Sequence, residues 1–356
     1  MNTVLLHCRP GFEKECAAEI QDSAATLEVY GFSRLEAGSG FVLFECYQEG
    51  DAERLMSELD FSRLIFARSW FVVVGQLSDM PLGDRVGAVL AHAKSLPKSG
   101  LLWVESADGD AYRQVLPFCK KLAVPMRQAL RKQGILTAKE KDKMPRIHLF
   151  LTDNQNGYVG YSRSDNGSPF YMGIPRLKFP SDAPSRSTLK LDEAFLVFLN
   201  EEEAEERLCG GLRAVDLGAC PGGWTYQLVR RGMFVNSVDN GPMAESLMET
   251  GQVTYFPEDG FKYVPEDPRI HWMVCDMADQ PHKVAQRMAT WIIEGWCKET
   301  IFNLKLPMKQ RYQAVAECFG EMTAMLRKAG VRYGIQAKHL YHDREEITVH
   351  LYRIHK

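Results

Sequence analysis

Short apolar runs alternate with stretches of helical spacing along the whole chain, and the pattern changes character near residue 180. In the first half, residues 4–7 predict a strand and residues 12–23 a helix. Residues 40–46 and 64–74 are rich in Phe, Val and Ile and read as strands. Helical spacing over 84–95 puts Val86, Val89 and Leu90 on one face, and 101–105 is a further strand. Residues 113–133 have helical period, but Pro117 and Pro125 predict a split there. Residues 147–151 and 158–161 read as two strands joined by a polar turn containing Asn156-Gly157.

Pro175, Pro180 and Pro184 fall among polar residues, which places a linker at 172–186, between a region at 1–171 and a domain at 187–356. Beyond it the order is strand, helix, strand, helix. Candidate strands are 213–217, 234–239, 253–256, 272–276, 300–304, 331–336 and 347–352. That alternation predicts an α/β domain with a seven-stranded, mostly parallel sheet covered on both faces. The short connection between the last two strands predicts an antiparallel hairpin. The first half, with mixed strands and helices, reads as α+β.

A length of 356 residues suggests two or more domains. No apolar run approaches a membrane span, and acidic residues by Glu13 argue against a signal peptide. Nine cysteines without a Cys-x-x-Cys pair fit reduced thiols, hence a cytoplasmic protein, and no zinc site. The net charge of −3 conceals a strong asymmetry. Residues 113–146 hold ten Lys or Arg against Glu140 and Asp142, whereas Glu201 to Glu206 is an acidic run. A basic surface that follows a phosphate backbone is the expectation for the former.

The chemistry concentrates in the second half. Val215-Asp-Leu-Gly-Ala-Cys-Pro-Gly-Gly-Trp-Thr225 reads as a buried strand ending in an acid, a glycine turn and a helix start. Such a unit lets backbone approach a ligand closely. Asp216, Asp239, Asp276 and Lys305 all fall at or just past strand ends, where open α/β sheets bind ligands. NAD, FAD and ATP sites also use glycine turns, but Gly-x-Gly-x-x-Gly and a P-loop are absent. Cys275 lacks the Pro-Cys and Thr-Cys motifs of cytosine-C5 methyltransferases, and Asp276-Met-Ala-Asp279 stands where amino-group methyltransferases carry Asn/Asp-Pro-Pro-Tyr. His339 and His342 have no partner ligands nearby in sequence, so no metal is expected.

The form Asp-x-Gly-x-x-Pro-Gly-Gly-Trp at 216–224, with Lys190, Asp276, Lys305 and a Glu pair at 345 and 346, resembles the FtsJ-like RNA ribose 2′-O-methyltransferases. The resemblance implies a Rossmann-like methyltransferase domain and S-adenosyl-L-methionine as cofactor. It places Ser187, Cys220, Pro221, Gly222, Gly223, Asp239, Asp259 and Asp276 in the cofactor site. Lys305 becomes the general base, supported by Lys190, Asp276 and Glu346, with Glu346 preferred over Glu345 because it directly precedes a strand. Methyl transfer is an in-line displacement at an already activated carbon, so the protein supplies alignment and removes a weakly acidic hydroxyl proton. Two lysines beside a sulfonium favour the neutral amine that a base requires.

Strand, basic helix and hairpin in the first half resemble a THUMP RNA-binding domain. With Tyr341-His-Asp-Arg-Glu-Glu346, the whole chain resembles the bacterial large-subunit ribosomal RNA methyltransferase M family. That implies structured RNA as partner and 2′-O-methylation of a cytidine in 23S rRNA, on a precursor rather than a finished ribosome. The residues alone also admit an RNA-binding ribosome assembly factor with a vestigial cofactor pocket, or an NAD-dependent enzyme.

Overall fold

The computed structural model describes residues 2–354. They form two compact units, which divide between Ile174 and Pro175. The first contains β1 (Thr3–His7), α1 (Glu13–Ala25), β2 (Gly31–Leu35), β3 (Phe41–Cys46), α2 (Asp51–Glu58), β4 (Ser69–Leu77), α3 (Arg85–Leu90), β5 (Leu101–Glu105), α4 (Val115–Lys132), β6 (Arg146–Leu151) and β7 (Gly157–Ser162). One seven-stranded sheet runs β2-β3-β1-β4-β7-β6-β5. Among the described residues of this sheet only β5 and β6 pair in parallel. β4 is the seam: one side pairs Thr3↔Val73 through His7↔Ser69, the other Val72↔Tyr161 through Leu77↔Gly157.

Several local expectations are corrected. α4 is one helix from Val115 to Lys132, not two. Pro117 lies in its first turn, where an N–H has no intrahelical partner anyway. Pro125 removes one interior bond, but the stripe Val115, Cys119, Leu122, Met126 and Leu130 is buried and holds the helix together. Residues 64–67 are apolar yet not strand, because the Glu19 carboxylate accepts the backbone N–H groups of Ile65 (2.5 Å) and Phe66 (2.9 Å) that a ladder would use. The helix expected over 84–95 stops at Leu90 and is followed by a 3₁₀ turn at Ala93–Ser95. β2 and α2 were not anticipated. Tyr171 donates to the Val104 carbonyl at 2.5 Å, and Met172 and Ile174 are buried.

A polar cluster sits inside the first unit. The buried Glu105 carboxylate meets His7 Nε2 at 3.2 Å and His148 Nδ1 at 2.7 Å, and His148 Nε2 meets Ser162 Oγ at 2.7 Å. Although burial pushes the Glu105 carboxyl up, the two histidines outweigh it and hold the group at about 2.

The second unit contains α5 (Thr188–Phe198), α6 (Glu201–Arg207), β8 (Arg213–Leu217), α7 (Gly223–Val229), β9 (Phe234–Val238), α8 (Glu245–Met248), β10 (Val253–Phe256), β11 (Ile270–Cys275), α9 (Pro281–Ile293), β12 (Cys297–Lys305), α10 (Arg311–Lys328), β13 (Tyr333–Lys338) and β14 (Glu346–Arg353). The acidic run forms α6, whose first-turn carboxylates sit at the positive end of the helix and whose Asn200–Glu203 capping box closes it. The sheet order is β10-β9-β8-β11-β12-β14-β13. β14 runs antiparallel to both neighbours and the remaining pairings are parallel, so the mostly parallel sheet and terminal hairpin are as expected.

Side-chain alternation sorts this sheet into two faces. Trp272, Val274 and Ile301 join Leu191 and Phe195 of α5 and Trp224 and Leu228 of α7 in one core. Thr300 points the other way and touches Met288 of α9. The chain leaves β8 toward β9 and β10, then returns to the other side for β11 and β12. The strand ends of β8 and β11 are therefore the switch point, where the connecting loops part and leave a crevice.

Candidate active site

Strand register builds the site. Asp216 lies opposite Val274, Val274 opposite Ile301, Asn303 opposite Thr348, and Lys305 opposite Glu346. Because side chains alternate, Asp216, Asp276, Asn303, Lys305, Glu346 and Thr348 share the face covered by α5, which contributes Lys190. Lys305 Nζ donates to Asp276 Oδ1 at 2.6 Å and lies 3.5 Å from Glu346 Oε2. Lys190 Nζ lies 2.5 Å from Glu346 Oε1 and 3.3 Å from Asp276 Oδ2. Each ammonium thus touches both carboxylates. Glu345 instead pairs with Arg311 at 2.9 Å and is largely exposed, so of the two candidates it is Glu346 that reaches the lysines.

The electrostatics favour the charged forms of Lys190 and Asp276. Burial works against the charge on Lys190, but Asp276 and Glu346 outweigh it and raise its pKa, so it is a firm ammonium. Burial also opposes ionisation of Asp276, yet Lys190 and Lys305 pull its carboxyl below the usual range. Lys305 is the more exposed of the two lysines and stands at the strand terminus.

The glycine turn lies beside this cluster. Gly222 adopts φ +116°, and a Cβ there would meet Leu247 Cδ1 at 2.3 Å. A Cβ on Gly223 would strike Ser187 Oγ at 2.2 Å, so α7 and the start of α5 close on each other only with glycine. The peptide before Pro221 is cis. Asp239 ties the turn down: its Oδ2 accepts the Cys220 N–H at 2.8 Å and its Oδ1 the Asn240 N–H at 2.6 Å. Asp259 is exposed beyond β10 and accepts the Phe261 N–H at 2.9 Å. Asp216 is buried, accepts Thr225 Oγ1–H at 2.7 Å on Oδ2, and leaves Oδ1 without a partner among the described residues. Burial, with Asp276 and Asp239 nearby, pushes its carboxyl up to about 7 despite the Thr225 bond.

Asn303, Thr348 and Asp343 join this site; none was assigned a role from the sequence, although Asp343 lies in the Tyr341–Glu346 segment that carries the family resemblance. Asn303 and Thr348 lie two residues from Lys305 and Glu346, so the period of a strand would have placed them on the same face. Asp343 lies in a loop, where spacing carries no such signal. Among the described residues, no group of three or more His, Cys, Asp or Glu is arranged to hold a metal ion.

Three family models divide the chain. Residues 1–71 match the RlmM ferredoxin-like domain, 84–163 the N-terminal region of ribosomal RNA large subunit methyltransferase M, and 183–316 the FtsJ-like methyltransferase. The ribosomal RNA large subunit methyltransferase M of Klebsiella pneumoniae is 58% identical over 355 residues, covering 99% of this chain and 97% of the relative. The same protein of Proteus mirabilis is 59% identical with the same coverage.

The chain belongs to the ribosomal RNA large subunit methyltransferase M family.

The crystal structure of TrmN from Thermus thermophilus aligns over 99% of both chains at 13% identity and a TM-score of 0.37. The residues present suit the methyl donor of FtsJ-like enzymes, S-adenosylmethionine. An orphaned buried carboxylate oxygen on Asp216 suits its ammonium group, and the Gly222–Gly223 turn gives close backbone approach. When bound, that cofactor supplies an electrophilic methyl group and a positive charge. The site's own side chains set two ammoniums against two carboxylates within 3.5 Å. That balance lets the cluster stay partly buried without an uncompensated charge.

Proposed function

We propose that this protein catalyses S-adenosylmethionine-dependent 2′-O-methylation of a ribose in ribosomal RNA, and that the target is a cytidine of 23S rRNA in a cytoplasmic precursor. The supporting observation is the contact set of Lys190, Asp276, Lys305 and Glu346 at the carboxyl ends of β11 and β12. In this reading Lys305 is the general base. Its amine is tethered by hydrogen bonds to Asp276 and Glu346, which leaves its lone pair, once neutral, to accept the 2′-hydroxyl proton. Lys190 remains cationic and holds Asp276 and Glu346 in place. Ser187, Cys220, Pro221, Gly222, Gly223, Asp239, Asp259 and Asp276 line the cofactor site.

Residues 1–171 act as the RNA-binding region, THUMP-like in the order of strand, basic helix and hairpin, with 172–186 leading to the catalytic domain at 187–356. The exposed Lys120, Lys121 and Lys132 on α4, with Lys139, Lys141 and Lys143 after it, supply phosphate contacts. The test is tritium transfer from labelled cofactor to unmodified 23S rRNA, followed by mapping of the methylated ribose. Lys305→Ala is expected to lower transfer by about a thousandfold while calorimetric cofactor affinity is kept. Transfer at the unaltered rate would remove Lys305 from its role, and no transfer by the native chain would favour an assembly factor.

A further inference from the structure

Behind the four charged groups lies a line of uncharged hydrogen bonds. Asn303 Nδ2 donates to Asp276 Oδ1 at 3.0 Å. Thr348 Oγ1 lies 2.8 Å from Asn303 Oδ1, and 3.0 and 2.9 Å from the two carboxyl oxygens of Asp343. Asn303, Thr348 and Asp343 are all wholly buried.

Counting protons fixes the direction of this line. Asp276 sits between two lysines and only accepts, so Asn303 must turn its NH₂ toward it and its carbonyl toward Thr348. The Thr348 hydroxyl has one proton and three oxygen neighbours. If it donated to Asp343, two bare acceptors would face each other 2.8 Å apart at Asn303, buried and with no proton between them. If it donates to Asn303, Asp343 must carry a proton and donate to Thr348. The second arrangement satisfies every atom.

We propose that Asp343 is a neutral carboxylic acid and, through Thr348 and Asn303, a positioning residue that locks the Asp276 carboxylate toward Lys305. The surroundings agree. Burial, with Glu346 on β14 and Glu193 on α5, pushes the Asp343 carboxyl well up, against the Leu340 N–H and the Lys190 ammonium. The Leu340 N–H donates to Asp343 Oδ2 at 3.0 Å, which leaves Oδ1–H for Thr348. The β13–β14 connection that carries Asp343 is itself pinned to α5: the buried Glu193 carboxylate accepts the N–H groups of Tyr341 (2.8 Å) and His342 (2.9 Å). Every donor from Asp343 to Asn303 thus points toward Asp276.

This inference rests on the reading of Lys305 as base, so the experiment includes Lys305→Ala. Turnover is measured with a 23S rRNA transcript and tritiated cofactor, separating kcat from KM for RNA. Asp343→Ala and Thr348→Val each break the line and are expected to lower kcat roughly tenfold, with KM unchanged. Asp343→Asn keeps a donor toward Thr348 without a titratable proton, and is expected to restore most of what Asp343→Ala loses. Carbon-13 NMR of the unaltered chain, with the signal assigned by its loss in Asp343→Asn, is expected to show this carboxyl protonated at neutral pH. An ionised carboxyl there, an Asp343→Asn enzyme as slow as Asp343→Ala, or a Thr348→Val enzyme at full kcat would each overturn the proposal. Loss of activity in Lys305→Ala beside any of these refutes the relay alone, whereas full activity in Lys305→Ala refutes the catalytic reading beneath it.

Discussion

At the scale of single residues, the buried acid of the glycine turn makes the site sensitive to pH. The Asp216 carboxyl, raised to about 7 by burial, titrates near neutrality. A cationic amino group is held better by the carboxylate than by the acid, so cofactor affinity is expected to fall as pH drops below about 7, by up to about tenfold per unit. Calorimetry across pH 6 to 8, in buffers of different ionisation enthalpy, checks this through the proton released on binding; Asp216→Asn should flatten the dependence. The sign for stability is opposite to that of an ordinary acid. A folded pKa above the unfolded one favours the fold most at low pH and less as pH climbs through about 7. Lys305 and Asp276 could be read from the sequence as partnered groups because charged residues at the ends of apolar strands demand partners, whereas Lys190, on a helix, came only through the family resemblance. Asp343 could not, because its partner Thr348 is fixed by a loop closing onto a strand, and nothing in residue type marks such a closure.

Elements tell a similar story. Strands 213–217, 253–256 and 101–105 match the expectation to the residue, since each is a short apolar run between polar or glycine-rich segments. Residues 64–67 misled because an apolar run states only that a segment is buried. What its backbone bonds to depends on Glu19, some 45 residues earlier. β2 was invisible for the opposite reason: as an edge strand it exposes three of its five residues and lacks an apolar signature. The sheet of the first unit has its own acid sensitivity. Glu105, held at about 2 by His7 and His148, stabilises the fold above its unfolded pKa and loses that contribution as pH falls through the folded value. Burial, outweighing Glu105, lowers the pKa of His148, so protonation of the unfolded chain adds to the acid loss. Glu105→Gln is expected to cost about 3 kcal/mol, read by denaturant titration of the full chain through Trp103 fluorescence, and to blunt the loss of stability at low pH. An unchanged midpoint would show that the cluster is merely tolerated.

For the whole molecule, charge distribution matters more than its sum. A net charge of −3 hides the lysines of α4 and the segment after it, which are exposed. Lys120→Glu with Lys121→Glu is expected to weaken binding of a 23S rRNA fragment. The salt dependence should also flatten, log Kobs against log salt losing roughly 0.7 to 0.9 in slope per phosphate contact removed. An unaltered slope would assign RNA binding to another surface.

β4 carries a consequence for how this protein can be taken apart. Two of the family models end and resume around it, at residues 71 and 84, as though the chain held two separable modules there. Yet that strand is zipped on both flanks, to β1 and to β7. Scissors applied anywhere between the modules would bare a raw, sticky margin on each fragment, ready to pair with a stranger. The two are therefore expected to melt as one, and anyone trimming the protein should treat its first 174 residues as indivisible.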